Sequence, residues 1–429
     1  MQPARRFLQR SFVRTGIETY AFSGLTLLAT TLSGIVSARA LGPDGRGVTA
    51  ALFTVTQLAA FLFAMGVARS LSLFIARRPE DGPSLFSSWL LLLLPLSAAA
   101  IAVTYVLLPV IFATDGEEAI AIGRWFVFTI PLGVALELAW GVLLGRQDFL
   151  FYNSLRFAHM ALVAASLALL WALDSLTVET ACIWASVATG IALFAGLARA
   201  IRLVGVARPD LPLLMSSLWY GVRGQGVALA TQVTARLDVA ILPAFVVAAS
   251  VGLYSVATSL SLIVYTLSNV FAGLVIPAAA SHPERGPAKV IASLWASLLI
   301  AAAVAIVLAV LGRPLLGLVY GDDFRDAAEP LVLLLPGAVL FAGASIVTAG
   351  IYAAGRPFTA TFAQILGALV TVIGLLLFLD SGGITAAALV STVSYTTVFV
   401  ATLFIYKVIS RTPWSSFVPT PARLREMAS

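Results

Sequence analysis

Residues 18–47 read ETYAFSGLTLLATTLSGIVSARALGPDGRG. From Thr19 to Val36 no charged side chain interrupts the run. That is close to the roughly 20 apolar residues a helix needs to cross a bilayer core of about 30 Å. Within it Thr19, Ser23, Thr26, Thr30, Ser33 and Ser37 recur at spacings of three and four. On a helix they form a single hydroxyl stripe, and one face is thereby turned away from lipid. Gly42-Pro43-Asp44-Gly45-Arg46-Gly47 ends the helix and reads as a turn. It is no phosphate loop, because it follows a helix rather than a strand and lacks the Lys-Ser/Thr ending. Arg5, Arg6, Arg10 and Arg14 upstream, with Ala38-Arg39-Ala40 downstream, imitate a cleavable signal. The apolar stretch is longer than the usual signal core of about 7–15 residues, so we read a retained first helix.

The rest of the chain repeats this pattern. Of 429 residues 60% are hydrophobic and 11% charged, with a mean hydropathy of +1.01, which a water-facing surface does not tolerate. Apolar runs between Gly, Pro and charge breaks predict helices at 18–40, 48–68, 85–112, 122–144, 152–173 and 180–201. A second six follow at 217–246, 250–278, 290–312, 328–350, 357–378 and 384–406. The expected fold class is an all-α polytopic membrane protein of about 12 transmembrane helices.

Of 26 Lys and Arg residues, 19 fall on the side of both termini, five fall opposite (Arg39, Arg46, Arg124, Arg313 and Arg325), and Arg223 and Arg236 lie within a span. The positive-inside rule then places both termini in the cytoplasm. The basic residues flank apolar runs and are not interleaved with stacking aromatics, so a nucleic-acid partner is not expected. Cys182 is the single cysteine, and His159 and His282 lie far apart. Neither a disulfide framework nor a metal site is expected.

The two halves match at an offset of about 210 residues. Gly42 stands opposite Gly252, Pro131-Leu132-Gly133 answers Pro336-Gly337, and Gly145-Arg146-Gln147 answers Gly355-Arg356-Pro357. Two six-helix bundles are expected, 1–210 and 211–429, as a parallel repeat about an axis along the membrane normal. A site between such halves suits a carrier that alternates access.

Polar groups within spans are the candidate site. Gln225, Gln232 and Arg236 share one face of the seventh helix; Ser255, Ser259, Thr266 and Asn269 share one of the eighth; Gln57 lies on the second. An intramembrane arginine costs at least about 2.5 kcal/mol and calls for a wet cavity or a partner. Asp238 points about 200° away from Arg236 on a regular helix and is no ion-pair partner for it. Arg236 and Arg223 are therefore candidate anion contacts, with Thr26, Thr30, Gln57, Gln225, Gln232 and Asn269 lining the cavity. Glu137 on the fourth helix is a candidate counter-ion or ion-coupling group, and Asp238 is a second. Interhelical adhesion is the competing role for the hydroxyls, and pairing with Glu137 the competing role for Arg236.

Several segments resemble the Wzx-type polysaccharide flippases of the multidrug/oligosaccharidyl-lipid/polysaccharide exporter (MOP) superfamily over residues 10–410. They are Ala38-Arg39-Ala40-Leu41-Gly42-Pro43, Arg236-Leu237-Asp238, Val251-Gly252-Leu253-Tyr254-Ser255-Val256-Ala257, Tyr320-Gly321-Asp322-Asp323-Phe324 and Ala354-Gly355-Arg356-Pro357. The resemblance implies a V of two bundles, with a cavity lined by the first, second, seventh and eighth helices. It implies transfer of polyprenyl-diphosphate-linked oligosaccharide across a bacterial inner membrane, with no cofactor beyond a coupling proton or sodium ion. Membrane lipid and other polysaccharide-assembly proteins are the implied partners. The chain departs from some relatives in offering hydroxyls and Gln57, rather than charges, in its first half. A drug/cation antiporter of the same superfamily is the rival; an enzyme is not expected, because the longest outer segment, 313–327, is short.

Overall fold

The computed structural model describes the backbone of residues 2–114, 116–280 and 286–417, and side chains at 16, 18–114, 116–266, 286–356 and 359–417. Among the described residues every regular element is helical. The helices are α1 (Gln2–Phe63), α2 (Val67–Arg77), α3 (Gly82–Ile111), α4 (Gly116–Phe126), α5 (Ile130–Gly145), α6 (Phe149–Ala172), α7 (Val178–Val204), α8 (Leu211–Ile241), α9 (Ala248–Ala280), α10 (Gly286–Tyr320), α11 (Ala328–Ala353) and α12 (Pro357–Ser410).

Among the described residues ten stretches are long and apolar enough to cross a membrane. Two of them are double. α1 has 62 residues, about 90 Å if straight, which is three bilayer cores. It breaks at Gly42, with φ 67° and ψ −176°, a region open in practice only to glycine. Pro43 then opens the next helical segment, a position where its missing N–H is no loss. The break reverses the chain: Arg46 Nη1 donates to Ser37 Oγ at 3.0 Å across nine residues, a separation of about 13 Å along an unbroken helix. The expected six-residue turn at 42–47 is thus a single non-helical residue. Nothing crowds a Cβ at Gly42, so Gly42→Ala should lower stability by about 1–3 kcal/mol through the backbone alone, read from denaturation in detergent.

α12 folds back at Gly383, with φ 53° and ψ −137°. Thr371 Oγ1 donates to Ser394 Oγ at 2.8 Å, and Ser394 Oγ reaches Gly367 O at 2.8 Å. Counting each hairpin as two crossings gives the twelve spans expected from hydropathy.

The chain forms two compact units, 1–226 and 227–429, where the sequence reading divided it at 210. α7 ends at Val204, and the following residues lie along α3: Asp210 N donates to Ser88 Oγ at 2.8 Å, while Asp210 Oδ1 caps α8 by accepting from Leu213 N at 2.9 Å. The first turns of α8 then pack on the N-terminal unit, and the division falls within the helix.

Each unit is built around its fourth span. In the first, α5 packs on α2, α3 and α7; in the second, α11 packs on α9, α10 and α12. Small residues permit it. Gly141 faces Ala68 and Leu71, Gly145 faces Ile75, Gly343 faces Leu294 and Phe399, and Gly350 faces Val290 and Tyr406. In lipid such helices associate by close van der Waals packing rather than by escape from water.

Both fourth spans end in one cap. Gln147 N donates to Leu144 O and Asp148 N to Leu143 O; Gly355 N donates to Tyr352 O and Arg356 N to Ile351 O. These are Schellman patterns with Gln147 (φ 58°) and Gly355 (φ 73°) in the left-handed position. The sequence had aligned Gly145 with Gly355. In the structure Gln147 is the equivalent of Gly355, so the repeat here is displaced by two residues. Gly252, expected opposite the turn at Gly42, lies inside α9.

After α12 the chain turns back onto the C-terminal unit. Trp295 Nε1 donates to Phe417 O at 3.0 Å, and Phe417 is buried among Val290, Ile291 and Tyr406. Phe417→Ala should lower the stability of this unit by about 3 kcal/mol, measured as a fall in the thermal midpoint in detergent.

Candidate functional site

A buried polar cluster within the spans of the C-terminal unit lies where α8, α9 and the second half of α12 meet. Asp238 is fully buried. Its Oδ2 accepts from Tyr254 Oη at 2.5 Å and from Ser391 Oγ at 3.0 Å, and its Oδ1 from Val239 N at 2.7 Å. Three donors on one carboxylate replace the water it has lost, each charge-assisted bond contributing about 1.5–3 kcal/mol. One turn before it, the hydroxyl of Thr234 is buried with no hydrogen-bond partner among the described residues.

Arg236 is half-buried on the same helix. It makes no hydrogen bond or ion pair among the described residues, and its electrostatic neighbours are Asp238 and the phenol of Tyr395. Asp238 is close enough to interact with its charge but is not bonded to it, as the helical spacing required. Tyr395 is held by a row of stacked rings, with Phe341 centred 4.6 Å from Tyr395 and 4.7 Å from Tyr265. The guanidinium is thus a cation on an apolar span whose donors meet no partner among the described residues. Gln232, one turn earlier, is half-buried.

The other described candidates belong to the N-terminal unit. Arg223 is exposed, its guanidinium 5.5 Å from the centre of the Trp219 ring. Gln225 is buried in the N-terminal unit, where Nε2 donates to Phe61 O at 2.6 Å. Gln57 is exposed on the second span; an amide at that position requires water rather than lipid. Thr26 and Thr30 donate to Phe22 O at 2.7 Å and Thr26 O at 2.9 Å. Ser23, Ser33 and Ser37 bond back in the same way. Thr19 Oγ1 accepts from Asn153 Nδ2 of α6 at 2.9 Å, so the hydroxyl stripe bonds to its own backbone from Ser23 to Ser37 and joins a neighbouring helix at Thr19. The side chain of Asn269 and residue His282 lie outside the described residues.

Glu137 is half-buried on α5, and its charge faces Arg156 of α6. Arg156 lies 5.5 Å from the centre of the Tyr152 ring, which meets Trp140 edge-on at 6.3 Å. The opposite charge that Glu137 meets within its own unit is thus Arg156. His159 shares a 3.0 Å hydrogen bond with Thr189.

Sequence reasoning did not single out Tyr254, Ser391 or Tyr395 as site residues. Ser391, Ser394 and Tyr395 are polar positions on one face of an apolar span, a signal of the kind used for the seventh helix and not applied to the twelfth.

No curated protein sequence matches the chain. Among solved structures, that of the lipid II flippase MurJ in an inward closed conformation is similar with a TM-score of 0.76 at 14% identity, over 94% of this chain and 89% of its own. An inward-facing multidrug resistance MATE family transporter of the MOP superfamily gives 0.74 at 13% identity, over 92% and 99%. A MOP superfamily transporter from Pyrococcus furiosus gives 0.56 at 14% identity, over 95% and 96%. At these identities the likeness concerns the fold. The family described as "Polysaccharide biosynthesis protein" matches residues 36–329, a segment that holds Gln57, Glu137, Arg236, Asp238 and Tyr254. With its apolar spans, its fold and that match, the chain belongs to the polysaccharide biosynthesis protein family, on the fold of the MOP-superfamily transporters.

Proposed function

We propose that the chain moves polyprenyl-diphosphate-linked oligosaccharide from the cytoplasmic to the outer leaflet of a bacterial inner membrane by alternating access, with both its termini in the cytoplasm. The observation that carries the reading is Arg236, a cation on a membrane span whose donors meet no described partner. A diphosphate is the anion that a lipid-linked glycan brings to membrane depth, and a guanidinium fork suits phosphate oxygens. A carrier of organic cations gains nothing from an unpaired arginine there. One of the proteins of similar fold is a lipid II flippase, whose name makes a lipid its cargo.

In this reading the headgroup enters from the arginine-rich side, its diphosphate meets Arg236, and its hydroxyls meet Gln232 and water. The polyprenyl chain stays in lipid. Asp238 is the coupling group we favour, because it is a buried carboxylate two residues from Arg236 on the same helix. A proton or sodium ion neutralising Asp238 strengthens the field Arg236 presents to an anion, and by linkage a bound anion strengthens the ion's binding to the same degree.

The test is leaflet transfer of a fluorescent polyprenyl-diphosphate oligosaccharide in proteoliposomes, with proton or sodium gradients applied. Protein-dependent transfer supports the reading. No transfer of several such glycans, together with gradient-driven movement of a cationic dye, would instead identify a MATE-type drug/cation antiporter.

A further inference from the structure

We infer that the first part of α8, through Gly226, is a fixed piece of the N-terminal unit throughout transport, so that conformational change begins in the chain beyond it. The inference rests on how the end of the second span is made. That span breaks at Met65 and Gly66, both left-handed, with φ 46° and 73°. Met65 N turns to Leu62 O at 3.3 Å, which leaves the carbonyl of Phe61 without the N–H that an unbroken helix would give it. Gln225 of α8 supplies the missing donor at 2.6 Å.

The same run of α8 answers the break elsewhere. The backbones touch at two glycines: a Cβ on Gly221 would lie 2.7 Å from Met65 O, and a Cβ on Gly66 would strike Gly221 O. Ser217 Oγ donates to Ser70 Oγ at 3.1 Å and accepts from Trp89 Nε1 at 2.9 Å. Arg69 Nη1 donates to Gly224 O. Positions 61, 66 and 70 meet 225, 221 and 217, an antiparallel seam of about two turns. The compact unit ends at Gly226, one residue after the last of these bonds.

A gate that opened here in every cycle would break the bonds of the buried Gln225, Ser217 and Trp89 side chains together and unpack the close Gly66–Gly221 contact, each lost bond leaving a polar group unpaired. A permanent seam avoids that.

The test uses the chain's single cysteine to advantage. In a Cys182→Ser background, Ser70→Cys and Ser217→Cys place two thiols where hydroxyls now lie 3.1 Å apart. The expected result is a disulfide formed to the same extent under opposite ion gradients, and oxidised protein that transfers lipid-linked glycan at the rate of the reduced protein. Cross-linking that changes with the gradient overturns the inference, as does transfer that falls to the protein-free background on oxidation and returns on reduction. Should the reduced protein transfer no glycan, the flippase reading fails, while the gradient dependence of cross-linking still decides the seam. If the double variant does not assemble, hydrogen–deuterium exchange of the wild-type chain replaces it. Peptides of 211–226 are then expected to be equally protected under both gradients, with changes confined to 227–241; a change within 211–226 overturns the inference.

Discussion

Arg236→Ala is expected to lower the transfer of a polyprenyl-diphosphate oligosaccharide by about ten- to a hundredfold, the loss of one or two charge-assisted bonds to an anion at about 1.5–3 kcal/mol. Arg236→Lys keeps the charge but not the planar fork, and should retain part of the rate. The alanine variant should fold, because no described hydrogen bond or ion pair of the protein depends on Arg236. The discriminating measurement pairs two cargoes, one with a diphosphate and one with the same glycan and tail joined through a neutral linkage. Selective loss of the first is expected. Equal loss of both would mean that Arg236 shapes the protein and does not hold the anion.

The second large effect belongs to Asp238, where stability and coupling must be separated. Asp238→Ala leaves the hydroxyls of Tyr254 and Ser391 buried without their acceptor, a cost of about 2–5 kcal/mol and a fall in the thermal midpoint on the order of 5–10 °C in a unit of this size. Asp238→Asn keeps an acceptor oxygen for one of those hydroxyls and removes only the charge. It should fold nearly as well, hold the lipid-linked diphosphate more tightly, and transfer it at a rate that no longer responds to a proton or sodium gradient. An Asn variant with undiminished response would move the coupling role to another group, with Glu137 beside Arg156 the next to test by Glu137→Gln.

The part of this architecture that is legible in the sequence depends on local rules. A bilayer requires each crossing to be apolar over its own length, so residues 18–40 or 290–312 announce themselves without knowledge of their neighbours. The separation of Arg236 from Asp238 follows from helical spacing alone. The hydroxyl stripe at Thr19 to Ser37 was legible as a pattern but not as a destination, because from Ser23 to Ser37 its bonds run to carbonyls three or four residues back in the same helix, while Thr19 meets Asn153 of α6.

By itself, then, the sequence determined that this is a membrane protein of twelve spans in two related halves, with an arginine at membrane depth. Only the tertiary structure decided what surrounds that arginine and where the first unit ends. The donors that hold Asp238 stand 16 and 153 residues away from it, and Gln225 reaches its carbonyl partner across 164. Hydropathy averages over neighbours in the chain, whereas a buried carboxylate or an orphaned carbonyl is satisfied by whichever donor the packing of distant helices brings within about 3 Å, a pairing that no local pattern encodes.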